Sequence, residues 1–228
     1  MSALCVAAAG FGLAAPAHAF EIFGLKLFED QSEADAEAVI ADPQPYSVSV
    51  VVNATGELES VVRNASALVA DEDEPASGAA GLLAKARGDY RRIVAALYEE
   101  GHYGGVVSIR VGANEVMSLP PDVDLPDPVP VTIVVEPGPL FNFNRVDILN
   151  QAPPTSDLFD QVDLPSGQGF GVGEVARSSV ILKAEGLALE AWRQQGYAKA
   201  EIASRDVVAD HATNLVDVRI TVNPGQKA

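Results

Sequence analysis

The chain has 228 residues, a formal net charge of −17 and an isoelectric point near 4.4. That acidity excludes the clustered lysine and arginine that grip phosphates, so nucleic acid is not an expected partner and anionic lipid would repel the surface. The single cysteine, Cys5, lies in the N-terminal run, which leaves the rest of the chain without a disulfide framework, a thiolate metal site or a cysteine nucleophile.

Residues 1–19, MSALCVAAAGFGLAAPAHA, carry no charged side chain and end in Ala17-His18-Ala19. An apolar run closed by A-x-A predicts a signal peptide cut after Ala19, though no Lys or Arg precedes it. It is too short and too rich in Ala and Gly to span a membrane. Export of an acidic chain then free of cysteine predicts a bacterial periplasm. Residues 20–44 read as an acidic, solvated leader. They open on the apolar patch FEIFGLKLF, expected to pack loosely on the domain that follows.

Alternation in YSVSVVV predicts a half-buried strand over Tyr46–Val52. Helical spacing of Leu58, Val61, Val62, Ala65, Leu68 and Val69 predicts a helix over 57–69. The acidic loop DEDEPASG follows. Residues 82–100 form the best amphipathic helix, with Leu83, Ala86, Tyr90, Ile93, Val94 and Leu97 on one face. Gly101 is placed for a left-handed cap. Val106–Val111 is a strand, LPPDVDLPDPVP a proline-rich loop, and 131–135 a strand stopped by Pro137-Gly138.

The same order then returns. Residues 141–149 are a strand, 157–162 one or two helical turns, and SGQGFGVG a flexible loop. Residues 174–195 are a long helix ended by Gly196. Residues 199–208 and 215–222 form a hairpin, the latter alternating cleanly and ending at Pro224-Gly225. The two copies align as ALYEEGHYGGVVSIRV with PVTIVVEPG, and LEAWRQQGYAKAEIASRDV with NLVDVRITVNPG. A repeat of this length marks tandem modules, each large enough for one sheet and two helices. The class is α+β: two β-α-α-β-β domains, 45–138 and 139–228, each a three-stranded mixed sheet with two helices on one face. Tandem small modules position partners more often than they catalyse.

The residues that carry chemistry are few. His18 is in the apolar run, and His102 and His211 are in turns. None has a helically spaced carboxylate or second histidine, so neither a metal nor an acid–base site is expected. SGQGFGVGE lacks the spacing of a dinucleotide loop and the Lys-Ser/Thr pair of a phosphate loop. The acidic run 71–74 lacks the spaced ligands and glycine of an EF-hand loop. Asn53-Ala54-Thr55 and Asn64-Ala65-Ser66 match the glycosylation sequon by chance in a bacterial setting. No enzyme activity and no cofactor are expected.

Four segments carry a family likeness: LLAKARGDYRRIVAALYEEGHYGG, IVVEPGPLFNFNRVDILN, GVGEVARSSVILKAEGLALEAWRQQGYAKA and VDVRITVNPG. Over roughly 45–226 the chain resembles tandem POTRA domains, most of all those of alphaproteobacterial TamA-type surface antigens in the BamA/TamA superfamily. The resemblance implies a periplasmic scaffold in the assembly of outer-membrane proteins and autotransporters. Unfolded client segments and a TamB-like partner anchored in the inner membrane are its implied partners. Family members continue into a C-terminal β-barrel in the outer membrane, and no run of barrel strands is present in this sequence. A standalone periplasmic module for a small ligand or polymer, and the POTRA part of a two-partner secretion transporter, are the competing readings.

The likeness also implies that the third strand of each sheet is central and the second lies at an edge, where unpaired backbone groups can accept another strand. The candidate docking edge is Val106, Val107, Ser108, Ile109, Arg110 and Val111, nearly free of protective charge. The second unit's edge, 199–205, is blunted by Lys199, Glu201 and Arg205.

Overall fold

The computed structural model describes residues 20–22, 25–27, 42–54, 56–157 and 161–227. The predicted signal peptide and its cleavage residues Ala17 and Ala19 lie outside the described residues. Contacts divide the chain into Met1–Val39 and Ile40–Ala228. Of the first part, β1 (Phe20–Ile22) pairs antiparallel with β2 (Leu25–Leu27), a short hairpin within the apolar patch.

The second part begins with β3 (Pro43–Gln44), then β4 (Tyr46–Val52), α1 (Leu58–Ala65), α2 (Ala67–Ala70), β5 (Ala76–Ser77) and α3 (Gly78–Glu99). β6 (Val106–Val111), β7 (Asn114–Glu115) and β8 (Val129–Glu136) complete the first repeat. The sheet order is β4-β8-β6-β7, with β4 parallel and β6 antiparallel to the central β8. Along β8, Val129, Val131, Ile133 and Val135 are buried and alternate with more exposed residues. One face therefore meets Val62, Leu68, Leu83, Ala86, Ile93 and Leu97 of the helices, while the other is left open.

The expected first helix is broken at Ser66. That residue adopts an extended backbone, and its Oγ accepts from Val69 N and donates to Asp89 Oδ2 at 2.6 Å. Asp89 is fully buried; its carboxylate also accepts from Ala67 N and Leu68 N and pairs with Arg92. One carboxylate thus satisfies the orphan N–H groups at the start of α2 and ties that turn to α3. Two further differences concern the edges of the prediction. The leader's end pairs as β3 with β5, and β8 starts before the expected 131, at Val129, because Pro130 still offers its carbonyl to Gly112 N at 2.8 Å.

The second repeat contains β9 (Asn142–Leu149), α4 (Ser178–Gln194), β10 (Glu201–Asp210) and β11 (Leu215–Asn223). The order β10-β11-β9 repeats the first topology, parallel between β11 and β9 and antiparallel between β11 and β10. The mixed α+β class follows directly. The helical turns expected over 157–162 centre on residues 158–160, which lie outside the described residues; after them comes a 3-10 turn, Pro165–Gln168. The glycine-rich loop is anchored: Phe170 is buried and meets Phe143 edge-on at 5.4 Å. α4 starts later than 174 because Val175 bridges Asn142 and Ala176 N donates to Phe141 O.

The repeats meet through the glycine–aromatic turn. Gly101 has φ 89°, and His102 N closes the helix end on Leu97 O at 2.8 Å. Gly101 O accepts from Phe141 N at 2.9 Å, and a Cβ at Gly101 would stand 2.8 Å from a Val175 methyl. Tyr98 and Tyr103 stack at 4.9 Å, and Tyr103 tilts against Phe141 at 5.5 Å. Tyr103 thereby packs into the second repeat's core although it belongs to the first.

Candidate functional site

The residues singled out as a docking edge form β6, which lies between β8 and the two-residue β7. Gly112 N donates to Pro130 O, and the register runs without a bulge, so the N–H groups of Ser108 and Arg110 also face β8. Those of Val107, Ile109 and Val111 face outward. The outward side is partly occupied. Arg110 and Val111 pair with β7, and Ile109 N donates to the Tyr90 hydroxyl at 3.2 Å. The hydroxyl in turn donates to Glu115, which also accepts from Ser108 Oγ. The length of β6 open to another strand is thus its N-terminal half, around Val106 and Val107. The opposite edge of this sheet, β4, has Val48 N capped by Glu72 Oε1 at 2.7 Å.

The second sheet differs. Its edge strand β10 has ten residues, against the N-terminal half of a six-residue strand left on β6, and it carries no flanking strand among the described residues. Arg205, Val207 and Ala209 pair with Ile220, Val218 and Val216, which are fully buried beneath α4. They therefore point to the helix face, yet Val207 is 38% exposed and Leu182 on α4 54%. The helix lies over β11 and reaches β10 through Glu185 and Arg205, but leaves Val207 and Leu182 partly uncovered.

A groove of about 400 Å³ results, walled by Ile181 and Leu182, by Val207 and Ala209, and by Tyr98 and Tyr103 from the first repeat. Arg205 bounds it and grips the buried Glu185 with two hydrogen bonds, one of them 2.6 Å. The Tyr103 hydroxyl is buried without a hydrogen-bond partner, and burial raises its pKa, so it remains a protonated donor at neutral pH. Sequence reasoning marked Lys199, Glu201 and Arg205 as blunting this edge. In the structure Arg205 is turned onto Glu185, and Lys199 precedes the strand. The groove was not foreseen, because Tyr98, Leu182 and Val207 come from three distant segments. The available signal was Val207-Val208, two apolar residues side by side where one face should be polar.

A second hollow of about 230 Å³ is lined by residues that include Ile148, Ala152, Pro153, Leu187 and Ala191. His102 and His211 both lie at the junction. His102 Nδ1 is 3.1 Å from Gly138 O, and His211 stands edge-on to Phe141 at 5.3 Å. Among the described residues no three His, Cys, Asp or Glu side chains gather to hold a metal ion, and no helix is long and apolar enough to cross a membrane. Asp71 of the acidic run pairs with Lys85 at 2.9 Å.

No family model matches the chain, and no curated protein does. Solved structures do. The chain is similar to POTRA domains. It aligns with POTRA domains 3–5 of BamA from Haemophilus influenzae at 14% identity and a TM-score of 0.46, over 82% of this chain and 67% of that one. POTRA domains 1–2 of the periplasmic domain of Omp85 from Anabaena align at 17% identity and a TM-score of 0.41, over 82% and 98%. The N-terminal domain of Omp85 from Thermosynechococcus elongatus aligns at 19% identity and a TM-score of 0.40, over 78% and 61%.

Proposed function

We propose that this chain is a periplasmic scaffold, not an enzyme, that holds extended polypeptide segments by adding them as strands to its sheet edges. The observation that carries the reading is β10, ten residues of edge strand with no flanking strand among the described residues and with Val207 on its helix-side face partly exposed. An exposed edge of this length is a template for a further strand unless something guards it. Main-chain hydrogen bonds supply affinity independently of sequence, which suits a receptor for many unfolded clients. Val106–Val111 serves as a second, shorter edge, through the outward backbone of Val107.

The sequence resemblance to POTRA domains supports a place in outer-membrane protein assembly, with autotransporter segments among the clients and a TamB-like protein as partner. The domain limits 45–138 and 139–228 belong to the same reading. The ligand-module alternative draws on the hollow beside Pro153 and Leu187.

The test is a titration of the exported chain with an extended peptide from an outer-membrane barrel strand. The same peptide N-methylated at alternate residues, in both phases, is the comparison. Binding by the parent and loss in one phase only is expected, because a strand presents one side of its backbone to a ladder. Equal binding of both methylated forms contradicts strand addition.

A further inference from the structure

The edge offers a pattern of side chains as well as a backbone. Beyond the irregularity at Ala203, alternation along β10 is regular. Arg205, Val207 and Ala209 face the groove; Asp206, Val208 and Asp210 face the opposite side of the sheet. A strand laid beside β10 must therefore place every second side chain in or over the groove, and the others beside two carboxylates four residues apart.

The two faces ask for different chemistry. The groove walls are apolar, formed by Ile181, Leu182, Val207 and Ala209 with the Tyr98–Tyr103 pair at one end. Leu182 and Val207 lose water only when something fills the gap. Arg205 adds no free cation, being held by Glu185. The far face carries Asp206, with Arg219 opposite it in register and Arg145 lining the same hollow. It also carries the exposed Asp210, whose pKa is lowered by N–H and hydroxyl donors from Ala212 and Thr213. Asp147 and Asp217 share this face, so acidic groups outnumber the two arginines. The chain as a whole is strongly acidic, so an incoming acidic segment is repelled at long range and a basic one is drawn in. The buried Tyr103 hydroxyl, without a partner, marks the same groove as polar-unsatisfied while empty.

We propose that the β10 edge selects an amphipathic β-segment: large apolar side chains at alternate positions seated in the groove, with lysine or arginine on the other face opposite Asp206 and Asp210. This rests on the strand-addition reading above and narrows its substrate class. Because Tyr98 and Tyr103 come from the first repeat, the selecting site belongs to the pair of repeats and is incomplete in the second alone.

The experiment is a titration of the full chain with the capped peptide Ser-Lys-Leu-Thr-Leu-Lys-Ser, followed by anisotropy of an attached dye. Replacing both Lys by Glu is expected to weaken binding about tenfold or more at low salt, with the gap closing as salt is added. Replacing both Leu by Ser weakens it by a similar factor, about tenfold, at any salt. In the double variant Asp206→Lys, Asp210→Lys, whose carboxylates are exposed and whose folding circular dichroism verifies, the preference should reverse toward the Glu peptide. Equal affinity for the Lys and Glu peptides, or for the Leu and Ser peptides, overturns this inference while leaving strand addition standing. Binding of none of the peptides overturns both.

Discussion

At the scale of single residues, the most consequential side chain is one that the sequence presents as ordinary. Asp89 in ARGDYRR stands three residues after Ala86 and four before Ile93, beside the apolar face; it is fully buried and holds Ser66, two backbone N–H groups and Arg92. Periodicity registers which positions are apolar; it cannot register a carboxylate that is buried because a neighbouring helix start needs an acceptor. Asp89→Ala should cost about 3 kcal/mol, measured by urea unfolding, because it strands those donors and Arg92. Gly101 was legible, since glycine after an amphipathic helix signals a left-handed cap. Its second duty was not, because the Val175 methyl it would strike is more than seventy residues away. Gly101→Ala should lower the melting temperature through both the positive φ and that clash. Tyr103 supplies a pH test. Burial holds its pKa above the ordinary 10.0, so its neutral form stabilises the fold below that value and the contribution is lost as pH rises through the folded value. Stability should therefore decline above about pH 10, and Tyr103→Phe should flatten the decline without loss at pH 7.

At the scale of elements, proline scanning of β6 separates inward from outward backbone. Ser108 N faces β8, so Ser108→Pro should destabilise the first sheet. Val107 N faces outward, so Val107→Pro should leave the thermal transition nearly unchanged and weaken any peptide held there. Equal damage from both, seen as equal shifts in melting, would contradict the register. The succession of elements along the chain and the long helices were readable because alternation and 3.6-residue spacing are local properties, whereas the central place of the third strand was implied only by the family resemblance. What the sequence hid is the covering of β6. Tyr90 and Glu115 read as helix face and turn, and only the fold brings both onto Ile109 and Ser108. The loop SGQGFGVG, read as flexible, is pinned by the buried Phe170 against Phe143, a contact between segments far apart in the chain.

At the scale of the molecule, the repeat predicts two modules, and the junction predicts how far they are independent. Gly101 O, Tyr98, Tyr103 and the Glu100–Arg177 ion pair all act across the boundary. A fragment of residues 139–225 should fold but melt below the intact chain, since Phe141 and Arg177 lose their partners; calorimetry of fragment and parent reads the difference directly. Equal melting temperatures would make the junction energetically silent. The claim on which the rest depends is strand addition, and amide hydrogen exchange with and without a saturating barrel-strand peptide tests it most directly. Slowed exchange is expected along residues 201–210, with a smaller effect at 105–107. Protection confined to the hollow around Ile148, Pro153 and Leu187, or none at saturation, would contradict it.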